Sequence, residues 1–256
     1  MKFTAKYFRD NYPEWKRKKD WPPTRYFYRQ ISFYLSAFFA NLGWSANSVS
    51  FFSIIFGLAA CASFIFGQPL FGAIFVNIWL MFDCADGNIA RSVKKELFGD
   101  FADSMSSYIC VGFLFVSIGY CVYQTGGFVV SAGDPWIILF GGFAGSCDSL
   151  MRLLYQKFLN SQYAQGLNAS HSQDPEKESG INRLRMKIDG YLSLGGSIPI
   201  VLIVAAILNA LDIVVFVWLC YYSLTFIASS VFLVRKTFIA NKALTNNETV
   251  VCNEKK

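Results

Sequence analysis

Five carboxylates fall within 21 residues of a strongly apolar chain, in the stretch DCADGNIARSVKKELFGDFADSMSS that runs from Asp83 to Ser107. One unpaired charge in hydrocarbon costs several kcal/mol, so the cluster calls for something that neutralises it. At about 100° per residue, Asp83, Asp86, Gly87 and Ala90 share roughly 100° of helix arc. Two carboxylates therefore sit on one face beside two residues that have almost no side chain, which leaves room for a ligand next to the charges. Gly99, Asp100, Asp103 and Ser107 cluster by the same arithmetic on the following element. Carboxylates that converge from two neighbouring helices are hard oxygen donors. They suit Mg²⁺ or Mn²⁺, with positions left open for phosphate oxygens.

The elements that must carry these residues are membrane helices. Of the 256 residues 54% are hydrophobic and only 16% charged, against about 25% charged in a soluble domain. Six stretches are long enough, at about 20 residues each, to cross a bilayer as helices: Asn47 to Phe66, Leu70 to Ala90, Phe98 to Tyr123, Trp136 to Phe158, Gly190 to Leu211 and Ile213 to Val234. The expected fold is an all-α integral membrane protein of six transmembrane helices. Residues 1–46 would form a cytoplasmic N-terminus and juxtamembrane helix, 47–235 the transmembrane catalytic domain, and 236–256 a cytoplasmic tail. Ahead of the first span, RYFYRQISFYLSAFFANLG mixes Arg25 and Arg29 with aromatics and reads as an amphipathic helix in the cytoplasmic interface.

Basic residues alternate from loop to loop. KRKK near the N-terminus, Arg91, Lys94 and Lys95 after the second span, Lys157 to Lys187 after the fourth, and Arg235, Lys236 and Lys242 at the end lie on one side, while GQPL, QTGGFVVSAGDP and NALD hold no Lys or Arg. The positive-inside rule then puts both termini in the cytoplasm, in the plasma or inner membrane if the cell is bacterial. No cleavable signal peptide is expected, because the first 22 residues are polar and basic. The net charge of +6 is spread between apolar segments and not along one face, so no nucleic acid is expected as a partner. The seven scattered cysteines form no CxxC pair and read as small buried hydrophobes.

The motif DxxDGxxAR, a short spacer and GxxxD, carried by Asp83, Asp86, Gly87, Ala90, Arg91, Gly99 and Asp103, resembles the signature of the CDP-alcohol phosphotransferases. The six-span layout behind an interfacial helix is similar to that family's fold. The resemblance implies divalent metal, Mg²⁺ or Mn²⁺, held by Asp83, Asp86 and Asp103. It implies a nucleotide bound by Asp83, Asp86, Gly87, Ala90, Arg91 and Gly99, with Asn47 at the entry to the first span. It further implies a CDP-alcohol donor, an alcohol acceptor, release of CMP, membrane lipids as surroundings and a homodimer. Donor transfer from CDP-diacylglycerol in phospholipid synthesis is the expected setting; the alternatives are a soluble CDP-alcohol used on a glycolipid or polysaccharide precursor, and a catalytically silent nucleotide- or lipid-binding relative. A transporter is a further option, weakened by the lack of a matching pair of broken helices.

Two departures stand out. The spacer SVKKELF has seven residues where eight are usual, and the fourth aspartate of the family pattern, a metal ligand and the favoured general base, falls on Ser107. Three outcomes follow. Asp100 supplies the missing carboxylate, or one metal suffices and the base comes from the substrate, or catalysis is lost. Outside the motif, Asp148 and Arg152 are spaced to pair on the fourth span, and Arg152 is also a candidate anchor for an anionic acceptor or lipid phosphate. His171, the single histidine, belongs to the polar stretch Gln162 to Asn182, which reads as a loop. The stretch Arg183 to Pro199 reads as a basic membrane border that could also line an acceptor pocket.

Overall fold

The computed structural model describes residues 2–164 and 195–254. Among them every regular element is helical. Two short helices, α1 (Ala5–Asp10) and α2 (Glu14–Lys19), lead through a π-helical turn (Thr24–Tyr28) into α3 (Arg29–Asn41). The long helices follow as α4 (Ala46–Ile65), α5 (Pro69–Ser92), α6 (Gly99–Thr125) and α7 (Trp136–Ala164), then a shorter α8 (Ile198–Ile207) and finally α9 (Leu211–Glu254).

Five of these helices are long and apolar enough to cross a membrane: α4, α5, α6, α7 through Ser161 and α9 through Ile239. Their bounds follow the first four expected spans and the last one to within a few residues. The expected fifth span is described only from residue 195 onward, where α8 contributes ten residues, about 15 Å of helix, half of a hydrocarbon core. Helix α7 continues to Ala164. The rest of the expected loop with His171, and the basic strip from Arg183 to Lys187, lie outside the described residues. Helix α9 runs unbroken past residue 236.

The start of each span is set locally. Ser45 caps α4 by accepting the backbone N–H of Ser48 at 3.2 Å, and Pro69 opens α5 where a missing N–H costs nothing. Helix α4 then packs across both α5 and α6, α6 against α7, α7 against α9, and α8 against α5. Side chains such as Phe64, Trp79, Leu114, Phe115, Leu202 and Trp218 fill the common core. The α6–α7 pair approaches to backbone contact. A Cβ on Gly141 would lie 2.3 Å from the Phe115 carbonyl oxygen, and one on Gly119 2.6 Å from that of Ile137, the small-residue packing that membrane helices use to gain van der Waals contact. At the end of the bundle away from the motif, Asp212 accepts the backbone N–H groups of Phe128, Val129 and Val130 at 3.1, 2.6 and 3.0 Å, which ties the α6–α7 connection to the start of α9.

Helix α3 occupies the segment expected to be amphipathic, but its polar side faces inward. Arg29, Ser32 and Ser36 are buried against α5, while Tyr34, Phe38 and Leu42 are exposed. The reason is that the partner surface is itself polar: it is the end of α5 that carries the motif. Ser36 donates to the Ala85 carbonyl at 3.1 Å, and Asn88 donates to Ser32 and Ser36 at 3.0 and 3.2 Å. Phe8, Phe33, Phe39, Phe82 and Ile89 close a second, smaller apolar cluster around this contact.

Candidate active site

Helix α5 presents the first half of the motif in its last three turns, and α6 presents the second half in its first two. The turn between them is braced by α4. The Asn47 backbone N–H donates to Glu96 Oε2 at 3.3 Å and the Asn47 amide to the Leu97 carbonyl at 3.0 Å. Glu96 thus supplies an acceptor to the unsatisfied first turn of α4. Gly99 sits directly below, with space for a Cβ whose nearest neighbour would be Asn47 Oδ1 at 3.7 Å.

This arrangement brings Asp83, Asp86 and Asp103 together. The carboxyl groups of Asp83 and Asp103 lie within hydrogen-bonding reach of each other across the two helices, and Asp86 is within electrostatic range of both. Asp86 is buried, and its Oδ2 accepts the Ser50 hydroxyl of α4 at 2.5 Å. A Cβ on Gly87 would lie 2.9 Å from both terminal nitrogens of Arg91, so a larger residue there would displace the flexible guanidinium from its present place. Arg91 in turn lies within electrostatic range of Asp103. Ala90 is half-buried and touches the N-terminal apolar cluster.

Asp100 is exposed in the first turn of α6, close enough to Asp103 to repel it. Asp103, Ser104 and Ser107 line a cleft of about 190 Å³ together with Tyr108 of α6 and Arg152, Tyr155 and Gln156 of α7. Asp103 is its one carboxylate. The expected pair on α7 is formed, with Arg152 Nε donating to Asp148 Oδ2 at 2.8 Å; Asp148 is 1% exposed and Arg152 35%. The arginine therefore both neutralises a buried acid and opens onto the cleft. Ser106, the neighbour of Ser107, faces the other way, hydrogen-bonded to Ser53 at 2.6 Å and to the Trp79 indole at 3.0 Å.

Among the described residues no three His, Cys, Asp or Glu side chains gather closely enough to ligate one ion by themselves. The donor set still fits a hard dication. Mg²⁺ is commonly held by one or two carboxylates and completes its shell with water and substrate phosphate, and two touching carboxylates with a third beside them offer that.

Several contributors were not legible in the motif. The N-terminal segment reaches the site through Arg29, which is 5% exposed. It donates to the Cys84 carbonyl at 3.0 Å, to Asn88 Oδ1 at 3.1 Å, and through Nε and Nη2 to Asp20 at 3.1 and 3.3 Å. Lys16 of α2 lies within electrostatic range of Asp83 and Asp103. The readable signal was the spacing of Arg29, Ser32 and Ser36, a polar stripe at helical intervals. For Ser50 it was a hydroxyl repeated at Ser53 inside an apolar span.

The described residues thus form a bundle of helices long and apolar enough to cross a membrane, with an acidic, arginine-flanked site at one end. The family model of the CDP-alcohol phosphatidyltransferases matches residues 44–171, half of the chain, and the chain belongs to that family. Its members are transferases that move a phosphoalcohol group from a CDP-alcohol, generally with a divalent metal, in phospholipid biosynthesis. Comparison with curated proteins gives no match.

The Ser50 contact leads to a direct test. Removing a hydrogen bond to a buried carboxylate costs about 1.5–3 kcal/mol, so Ser50→Ala is expected to lose stability of that order, with Ser50→Thr close to the parent. Thermal unfolding of the purified protein in detergent measures both.

Proposed function

We propose that the chain transfers the phosphoalcohol unit of a CDP-alcohol, CDP-diacylglycerol in the simplest case, to an acceptor alcohol with release of CMP. The contact of Asp83 with Asp103, beside Arg91 and inside the family-matched region, carries this reading. Asp83, Asp86 and Asp103 would hold Mg²⁺ or Mn²⁺. The ion supplies charge to the diphosphate and positions it, the main demand of phosphoryl transfer.

The chain's own residues would do the rest. Gly87, Ala90, Gly99 and Asn47 leave room for the nucleotide, and Arg91 pairs with a phosphate. The acceptor enters the cleft between α6 and α7, where Arg152 offers donors to an anionic group on the acceptor or on a lipid. The acceptor oxygen bonds to the phosphorus that carries the alcohol, the bond from that phosphorus to the CMP oxygen breaks, and the hydroxyl proton passes to Asp103, the one carboxylate that lines the cleft. Ser107, neutral and a poor base, leaves proton removal to Asp103. Asp100 is the other acid on this part of α6, one turn before Asp103.

In the membrane, the stretch from 190 to 211 would complete a sixth span, α3 would lie at the cytoplasmic interface with Tyr34, Phe38 and Leu42 toward lipid, and both termini would be cytoplasmic. The alternation of basic and Lys/Arg-free connections supports that orientation. A homodimer follows by resemblance to the family.

Asp86→Asn tests the nucleotide half of this reading. Purified protein in Mn²⁺ is expected to lose CMP binding by at least about a hundredfold, since the variant forfeits a charge-assisted contact at a buried site. Unchanged CMP binding in that variant, with no donor consumed by the parent, would end the enzyme reading.

A further inference from the structure

The family match begins at residue 44, yet the residues before it form one wall of the site. Tyr7 Oη donates to the Ser92 carbonyl at the end of α5 at 2.9 Å, and Arg29 holds the Cys84 carbonyl and the Asn88 amide. Cys84 and Asn88 are two of the four unspecified positions of DxxDGxxAR, so these contacts belong to this chain's own motif helix.

At the centre of the wall is Tyr12, in the turn between α1 and α2. Its ring faces two guanidinium groups, Arg29 at 5.0 Å and Arg91 at 5.8 Å from the centroid. Its hydroxyl donates to Asp20 Oδ2 at 2.5 Å, and Phe33 meets its ring edge-on at 5.6 Å. Burial pushes the Tyr12 hydroxyl above its usual range; the Arg29 charge opposes this and the bond to Asp20 adds to it. The phenol thus stays protonated, as a donor to Asp20. The Asp20 carboxylate is committed to Arg29 as well, so the ring is fixed at both its edge and its tip.

Arg91 has much weaker anchors. Its hydrogen bond to protein runs from Nη2 to Asn88 Oδ1 at 3.2 Å, an acceptor that it shares with Arg29. Two guanidinium groups on one oxygen repel, and the Asp20 carboxylate is taken up by Arg29. Asp103 and Asp20 attract Arg91 without a hydrogen bond to it, and the group that faces the guanidinium directly beside the bare Cα of Gly87 is the π-face of Tyr12, whose quadrupole attracts a cation.

We propose that Tyr12 is a positioning residue for the donor: its ring holds the Arg91 guanidinium over Gly87, with the remaining N–H groups available to the phosphate of a cytidine nucleotide. This rests on the proposed function, and it makes the segment ahead of α4, through Tyr12, part of the nucleotide site. Tyr12 touches neither the donor nor the reacting atoms and acts through Arg91 alone.

CMP titration of the full chain in detergent with Mn²⁺ tests it. Tyr12→Leu is expected to weaken CMP binding about fivefold, the size of a cation–π contact to a guanidinium that solvent reaches. Tyr12→Phe, which keeps the ring, is expected to stay within about twofold of the parent by the same principle. In an Arg91→Met background Tyr12→Leu is expected to have no further effect, and in turnover the single variant raises KM for the donor and leaves kcat in place. Should Tyr12→Leu unfold, Tyr12→Met fills the same gap without a π-face and answers the same question. Parent-like CMP binding in the ring-less variant, or a full additional loss in the Arg91→Met background, overturns the proposal while the function stands. Absence of CMP binding in the parent overturns both.

Discussion

Asp103→Asn is expected to lower turnover by about a thousandfold or more, the scale on which catalytic carboxylates and metal-borne charge act. Three roles fall on this side chain in the proposed reaction. It meets Asp83 across the α5–α6 contact, it is the one acid on the cleft shared with Ser107 and Arg152, and no fourth aspartate stands one turn later to share its work. Asparagine keeps the volume and one carbonyl oxygen but loses the charge that binds the ion and the lone pair basic enough to take a proton. The result is expected in kcat, with Mn²⁺ affinity lowered in parallel. Asp100→Asn is the companion: as an exposed side chain outside the cleft it is expected to cost about tenfold or less, the scale of a charge acting through solvent. Substantial turnover in Asp103→Asn would contradict both the ion and the base assignments.

Arg29→Met is expected to cost about 3 kcal/mol of stability, since removing one partner from a buried ion pair leaves the other charge uncompensated. The side chains of Arg29 and Asp20 are 6% and 5% exposed. The change also strips donors from the Cys84 carbonyl and Asn88, on the helix that carries Asp83 and Asp86. Combining Arg29→Met with Asp20→Leu should recover more than half of the loss, because an apolar pair of similar volume avoids the desolvation cost. Thermal unfolding in detergent and protease sensitivity of the segment ahead of α4 would register both results. Equal stability of Arg29→Met and the parent would show that the N-terminal helices are not fastened through this pair.

How far the sequence reached depended on the range of the contact concerned. Helices α4 to α7 and α9 were legible because membrane spans announce themselves by length and apolarity within one segment. Asp83, Asp86 and Asp103 were legible because helical periodicity places each on a face, and the antiparallel neighbour supplies the rest. Which side of α3 turns inward could not be assigned from its own residues, because Arg29, Ser32 and Ser36 meet the polar end of α5, a partner far away in the sequence. Tyr12 and Asp20 were out of reach altogether, since their partners lie 8 to 79 residues away and no local pattern links them. Glu96 looks like an ordinary turn residue in the sequence, yet it braces the start of α4 because the α5–α6 turn folds back on it.

Release of CMP is the most direct measurement of the central claim. Purified protein is incubated with Mg²⁺ or Mn²⁺, a set of CDP-alcohols that includes CDP-diacylglycerol and soluble donors, and a set of acceptor alcohols. Metal-dependent CMP release from at least one donor is expected, matched one to one by the phosphodiester product and lost in Asp103→Asn. Protein that binds CMP yet consumes no donor under any of these conditions would contradict it, and would mark the chain as a silent relative whose Ser107 has ended the chemistry.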